Sequence, residues 1–127
     1  MIKPSKVLIA EDEQLIAESL IELLKPLPHF EVIGAAGTAE QAFAYAERDR
    51  PDIAIVDVHL SGALDGVTLA IELSHRYDTT TIFITGNPQT VFNRAWEFRH
   101  SVLAKPFTDA EFLDAVASAR RQRVDAS

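Results

Sequence analysis

The sequence predicts one α/β domain built on a doubly wound parallel sheet, with five strands in the order 2-1-3-4-5. Three observations carry this prediction. Five short apolar runs alternate with five stretches of helical periodicity, the pattern of repeated strand–helix units. Most of these runs are apolar without interruption, as strands covered by helices on both faces are. The second run alternates polar and apolar residues, which suits an edge, and right-handed crossovers then favour that strand order. A chain of 127 residues suits a single domain, 1–127, with its core over about residues 5–123.

The elements follow in order. Lys6-Val7-Leu8-Ile9-Ala10 is a buried strand that runs into Glu11-Asp12-Glu13. The helix after it places Leu15, Ile16, Ser19, Leu20, Leu23 and Leu24 on one face. Asp12 suits its cap, Glu13 its first turn, and Pro26 and Pro28 stop it. Phe30 to Ala36 is the edge strand. Thr38 and Gln41 have the spacing of a capping box for a helix that buries Ala39, Ala42, Phe43 and Ala46. Ile53-Ala54-Ile55-Val56 is the central strand; it ends in Asp57 and turns at Ser61-Gly62. Asp65-Gly66 opens a helix carrying Val67, Leu69, Ala70, Leu73 and Tyr77. Thr80 to Thr85 is β-branched apart from Phe83 and reads as a strand. Gly86-Asn87-Pro88 turns into a shorter helix with Val91, Phe92, Ala95, Trp96 and Phe98. A last strand, Ser101 to Ala104, meets Lys105-Pro106-Phe107. Thr108 and Glu111 form a second capping box, for a final helix that buries Phe112, Leu113, Val116 and Ala119.

Composition narrows the function classes. A net charge of −7 argues against a nucleic-acid binder, which needs clustered Lys and Arg. The basic run Arg120-Arg121-Gln122-Arg123 falls at a helix C-terminus, where the helix dipole accounts for it. Without cysteine there is no disulfide framework, thiol chemistry or zinc–cysteine site, which fits a cytoplasmic setting. No apolar run has membrane-spanning length, and Met1 to Ser5 lacks a signal-peptide core.

In the predicted strand order the first and third strands are neighbours, so Glu11, Asp12 and Asp57 converge where the order reverses. Acids held this close repel one another and call for a cation. Oxygen ligands without sulfur point to a hard ion such as Mg²⁺. Thr85 ends the fourth strand and Lys105 the fifth, which brings a hydroxyl and an ammonium to the same crevice. Together these groups describe a phosphoryl-transfer site. A metal and Lys105 would neutralise the transferring oxygens while Asp57 attacks phosphorus in line.

With Glu11-Asp12, Asp57, Asp65-Gly66, Thr85 and Lys105-Pro106-Phe107 each at a strand end or loop, the chain resembles the receiver domain of two-component response regulators. The resemblance implies a flavodoxin-like fold, with Asp57 as phosphoacceptor. It further implies that Asp12, the Asp57 carboxylate and the backbone carbonyl of His59 hold Mg²⁺, with Glu11 acting through a water. Lys105 would pair with the phosphoryl group and Thr85 would be the switch hydroxyl. The implied phosphodonor is a histidine kinase or a histidine phosphotransfer protein. The output would be a contact with a downstream protein or a second copy of the chain, with no activity beyond self-phosphorylation and self-dephosphorylation.

Three departures bear on signalling. The loop Leu60-Ser61-Gly62-Ala63-Leu64-Asp65-Gly66 lacks the family's proline and is one residue longer. Val102 stands where the family carries a switching aromatic. Phe83-Ile84-Thr85-Gly86 matches a Phe-x-Thr-Gly receiver subgroup that lacks this aromatic. The expectation is that the segment from Gly86 to Phe98 takes over the relay, with Trp96 as its reporter. Gly86 would supply backbone freedom there. Singly, Asp12 and Asp65 read as helix caps, and His29, His75 and His100 as structural or surface residues. A pseudo-receiver that never takes phosphate would be expected to lose an acid or the lysine, and neither is lost. A phosphatase of the haloacid dehalogenase type needs a second acid where His59 stands. A flavodoxin would meet repulsion between FMN phosphate and Glu11-Asp12-Glu13.

Overall fold

A computed structural model describes residues 3–92 and 98–126. Its five parallel strands are β1 (Ser5–Ala10), β2 (Phe30–Ala36), β3 (Ile53–Asp57), β4 (Thr80–Thr85) and β5 (His100–Ala104). They form one sheet in the order β2-β1-β3-β4-β5, as the sequence predicts. The helices are α1 (Gln14–Leu24), α2 (Ala39–Asp49), α3 (Gly66–Tyr77), α4 (Gln89–Phe92) and α5 (Asp109–Ala126).

Side-chain alternation along the central strands divides the core into two layers. Val7, Ile9, Ile53, Ile55, Ile82 and Ile84 face α1 and α5, where Leu20, Leu24, Phe112 and Val116 close over them. Leu8, Ala10, Ala54, Val56 and Phe83 face α2 and α3. Alanines at 39, 42 and 46 let α2 lie close to the sheet, and Val67, Leu69, Ala70 and Leu73 give α3 a bulkier face. At the edge, β2 is only partly buried and carries an irregularity opposite Val7 and Leu8. A side chain at Gly34 would strike the Tyr45 ring of α2 at 2.4 Å.

Two residues of the expected α1 face lie elsewhere. Leu15 is 79% exposed and Ser19 is exposed too, and the inward stripe is Ala17, Leu20 and Leu24, the three- and four-residue steps of a helix. Asp12 does not cap α1. The N-cap is Glu13, without a side-chain capping bond. Both capping boxes form at their N-caps: Gln41 N–H donates to Thr38 Oγ1, and Glu111 N–H to Thr108 Oγ1. Thr108 N–H donates in return to Glu111 Oε1, whereas Gln41 Oε1 accepts from Gly37 N–H, one residue before the cap. At the far end of α5, Arg120 donates to Ser5 Oγ and Arg123 to Thr80 Oγ1 and Asp52 Oδ1. These arginines therefore tie α5 to the starts of the strands, a task beyond complementing the helix dipole.

Candidate functional site

Strand register builds the site. Ala10 pairs with Val56, so Glu11 comes level with Asp57. Asp57 pairs with Ile84, one residue before Thr85, and Thr85 pairs with Ala104, one residue before Lys105. Two carboxylates, a hydroxyl and an ammonium thus reach the carboxyl edge of adjacent strands, where open α/β sheets bind ligands.

Glu11, Asp12 and Asp57 each offer an oxygen within 4.8 Å of the other two. Asp57 and Glu11 are buried, and Asp12 is exposed. Lys105 Nζ stands 3.6 Å from Glu11 Oε1 and 3.8 Å from Asp57 Oδ2. Glu11 Oε1 has no hydrogen-bond partner among the described residues although it is fully buried, an arrangement that normally costs folding free energy. Burial, and then a shared hydrogen bond and repulsion with Asp57, push the Glu11 carboxyl up to about 7; the Lys105 charge only partly opposes them. The Ser61 hydroxyl donates to Asp12 and holds its carboxyl below the usual carboxylate range. Converging oxygens, one of them orphaned, with no sulfur or imidazole among them, fit a hard divalent cation.

The surroundings hold these groups in place. His59 N–H donates to Asp57 Oδ1 at 2.9 Å, while its ring side lies exposed. Lys105 N–H donates to Thr85 O, and the Lys105–Pro106 peptide is cis. Phe107 stacks on Phe112 of α5 and seats the end of this turn on the core. Thr85 is buried, and its Oγ1 accepts from Asn87 N–H at 3.0 Å. The hydroxyl is therefore engaged with the β4–α4 turn and not with Asp57.

Two contributors were named in the sequence only as turn or motif residues, without the roles they have here. Ser61 bridges the long loop to Thr38 and bonds to Asp12; Gly62, at φ +109, turns the chain beneath it. Gly66 lets the start of α3 approach the backbone of the site: a Cβ there would fall 2.1 Å from Asp57 O. The extra loop residue was the available signal for Ser61. Val102 is half-buried and packs on the α2–α3 side of the core. Gly86 does not have positive φ, and space around it is open, so this state makes no use of glycine's special freedom. Trp96 lies outside the described residues, as does the side chain of Phe92.

A family model for the response regulator receiver domain matches residues 7–117. The chain belongs to that family. Its members are signalling modules of two-component systems. This receiver is 33% identical over 115 residues to the transcriptional regulatory protein PdtaR of Mycobacterium tuberculosis, a match covering 89% of this chain and 55% of PdtaR. It is 32% identical over 116 residues to the phyllosphere-induced regulator PhyR of Methylorubrum extorquens, covering 91% of this chain and 43% of PhyR. The chain thus spans about half the length of these curated relatives. Among solved structures, the signal receiver domain of a modulated diguanylate cyclase from Desulfovibrio desulfuricans G20 superposes with a TM-score of 0.86 at 33% identity, covering 98% of this chain and 100% of that one. The receiver domain of PhyR from Erythrobacter litoralis gives 0.82 at 26% identity, covering 92% and 90%. Among the described residues, no helix is long and apolar enough to cross a membrane.

Proposed function

We propose that this receiver is a Mg²⁺-dependent phosphoryl switch in which Asp57 accepts phosphate from a histidine kinase or a histidine phosphotransfer protein. The observation that carries the proposal is the buried Asp57 carboxylate, grouped with Glu11 and Asp12 and faced by Lys105. Attack by an Asp57 oxygen forms the new O–P bond. The N–P bond of the donor breaks, and its electron pair stays on the imidazole. Asp12, Asp57 and the His59 carbonyl would hold the cation directly, and Glu11 through a water. Bound there, the cation would offset negative charge on the transferring oxygens. Lys105 is already directed at Asp57 and supplies the second positive charge. Thr85 hydrogen-bonds the arriving group through its own O–H, while its oxygen is the acceptor for Asn87 N–H.

The product then shifts the balance between surface conformations. The output is a contact with another protein or a second copy of the chain. A phosphatase reading lacks the second acid, because His59 follows Asp57 by two residues. A pseudo-receiver reading leaves the pairing of Lys105 with buried acids without a use. ¹⁹F NMR of beryllium fluoride tests the site: bound signals should require both Mg²⁺ and Asp57. Equal signals from Asp57→Asn would refute the assignment.

A further inference from the structure

The opposite end of the sheet holds a second feature that phosphoryl chemistry does not use. Where the strands begin, an open cleft of about 620 Å³ is ringed by Lys3, Lys6, Arg50, Arg99, Arg120 and Arg123. Only three carboxylates, Glu31, Asp52 and Asp78, share its wall. The chain as a whole carries a net charge of −7, so the sign of the charge reverses locally.

Part of this positive charge is neutralised. Lys6 pairs with Asp49, Arg99 with Asp78 and Arg123 with Asp52. Lys3, Arg50 and Arg120 have no carboxylate partner among the described residues. Among the described residues Arg120 bonds through Nη1 alone, to Ser5 Oγ and Lys3 O, which leaves Nε and Nη2 for another acceptor. The Arg50 guanidinium lies 5.5 Å from the centre of the Tyr77 ring, so its side chain is supported without an anion. The cations come from three parts of the chain: the N-terminal segment, the α2–β3 turn and the end of α5. The sheet brings them together.

We infer that this cleft binds a small molecule carrying several linked phosphate groups, an inorganic or nucleoside polyphosphate. Guanidinium and ammonium groups around a concavity match clustered phosphate oxygens, and the volume suits a small-molecule ligand. Extended nucleic acid is disfavoured, because the clustered positive charge spans a single cleft and a net-negative chain would repel the rest of a long polyanion. The ligand does not compete with phosphorylation, because Asp57 lies at the other end of β3.

The test is isothermal titration calorimetry on the full chain in metal-free, low-salt buffer, with inorganic triphosphate and ATP as separate ligands. Removing divalent metal leaves three acids at the Asp57 site, which reject these anions. Saturable one-site binding that weakens with salt is expected, and Asp57→Asn should bind equally well. Lys3 and Arg50 are exposed, so Lys3→Gln with Arg50→Gln should leave folding intact and weaken binding by about tenfold or more, the loss of at least one charge-assisted bond. Equal affinity for both ligands assigns the site to the phosphate chain, and tighter ATP binding adds a nucleoside contact. No heat of binding at millimolar ligand, or affinity unmoved by the double substitution, overturns the proposal.

Discussion

Glu11 sets the charge of the acid cluster at the carboxyl edge of the sheet. Its folded-state carboxyl is raised from 4.5 to about 7, so the folded chain keeps a proton that the unfolded chain gives up. The stability this adds is complete below the unfolded value and is lost as pH rises through about 7. The stability of the metal-free protein, followed as its melting temperature, should therefore fall between about pH 4.5 and about pH 7 and level off above that. Glu11→Gln should flatten that slope, because the amide keeps the neutral state at every pH. Asp12 moves the opposite way, below 3.8, and acts outside this window. A metal-free melting curve whose pH slope survives in Glu11→Gln would show that the burial argument is wrong. Gly66 gives a second test at this scale. With Asp57 O 2.1 Å from a built Cβ, Gly66→Ala should force α3 away from the site and destabilise the fold by about 1–3 kcal/mol, the range for overpacking. Urea unfolding at neutral pH would measure it; an unchanged midpoint would mean the helix start yields freely.

In the proposed switch, the loop–helix segment after β4 is the element expected to respond. Thr85 Oγ1 accepts from Asn87 N–H in this structure and keeps its own proton for donation, so a new bond from that hydroxyl to a phosphoryl group on Asp57 would be felt at the Asn87 N–H. Beryllium fluoride with Mg²⁺ should therefore move the Asn87 amide resonance, with Trp96 fluorescence as an independent reporter of the same segment. A still Asn87 amide beside a responding β5 face would contradict this relay. Gly86→Ala sharpens the test. Nothing obstructs a Cβ in the present state, so the substitution should leave stability unchanged; if it also blocks the response, the glycine is needed in the phosphorylated state alone. Much of the element-level structure was legible because strands buried on both faces and capping boxes leave strong local patterns. Leu15 and Ser19 were misplaced because four-residue spacing alone does not say which of two adjacent stripes faces the sheet, and the buried one is Ala17–Leu20–Leu24. Ser61 and Gly66 act through loop geometry and close backbone approach, which residue type and spacing do not encode.

At the scale of the molecule, one sheet separates two chemistries. Acids and one lysine gather at the carboxyl edge, and basic side chains ring a cleft at the amino edge. The first was readable in the sequence because each residue follows a recognisable strand. The second was not, since Lys3, Arg50 and Arg120 are distant in the chain and meet only through the β2-β1-β3-β4-β5 order. The account depends most on the carboxyl edge, and intact-mass spectrometry after incubation with acetyl phosphate tests it most directly. Wild type should gain one phosphoryl group in Mg²⁺ and none in chelator, and Asp57→Asn should gain none in either. Equal labelling of Asp57→Asn, or labelling of wild type that persists without Mg²⁺, would contradict the central claim.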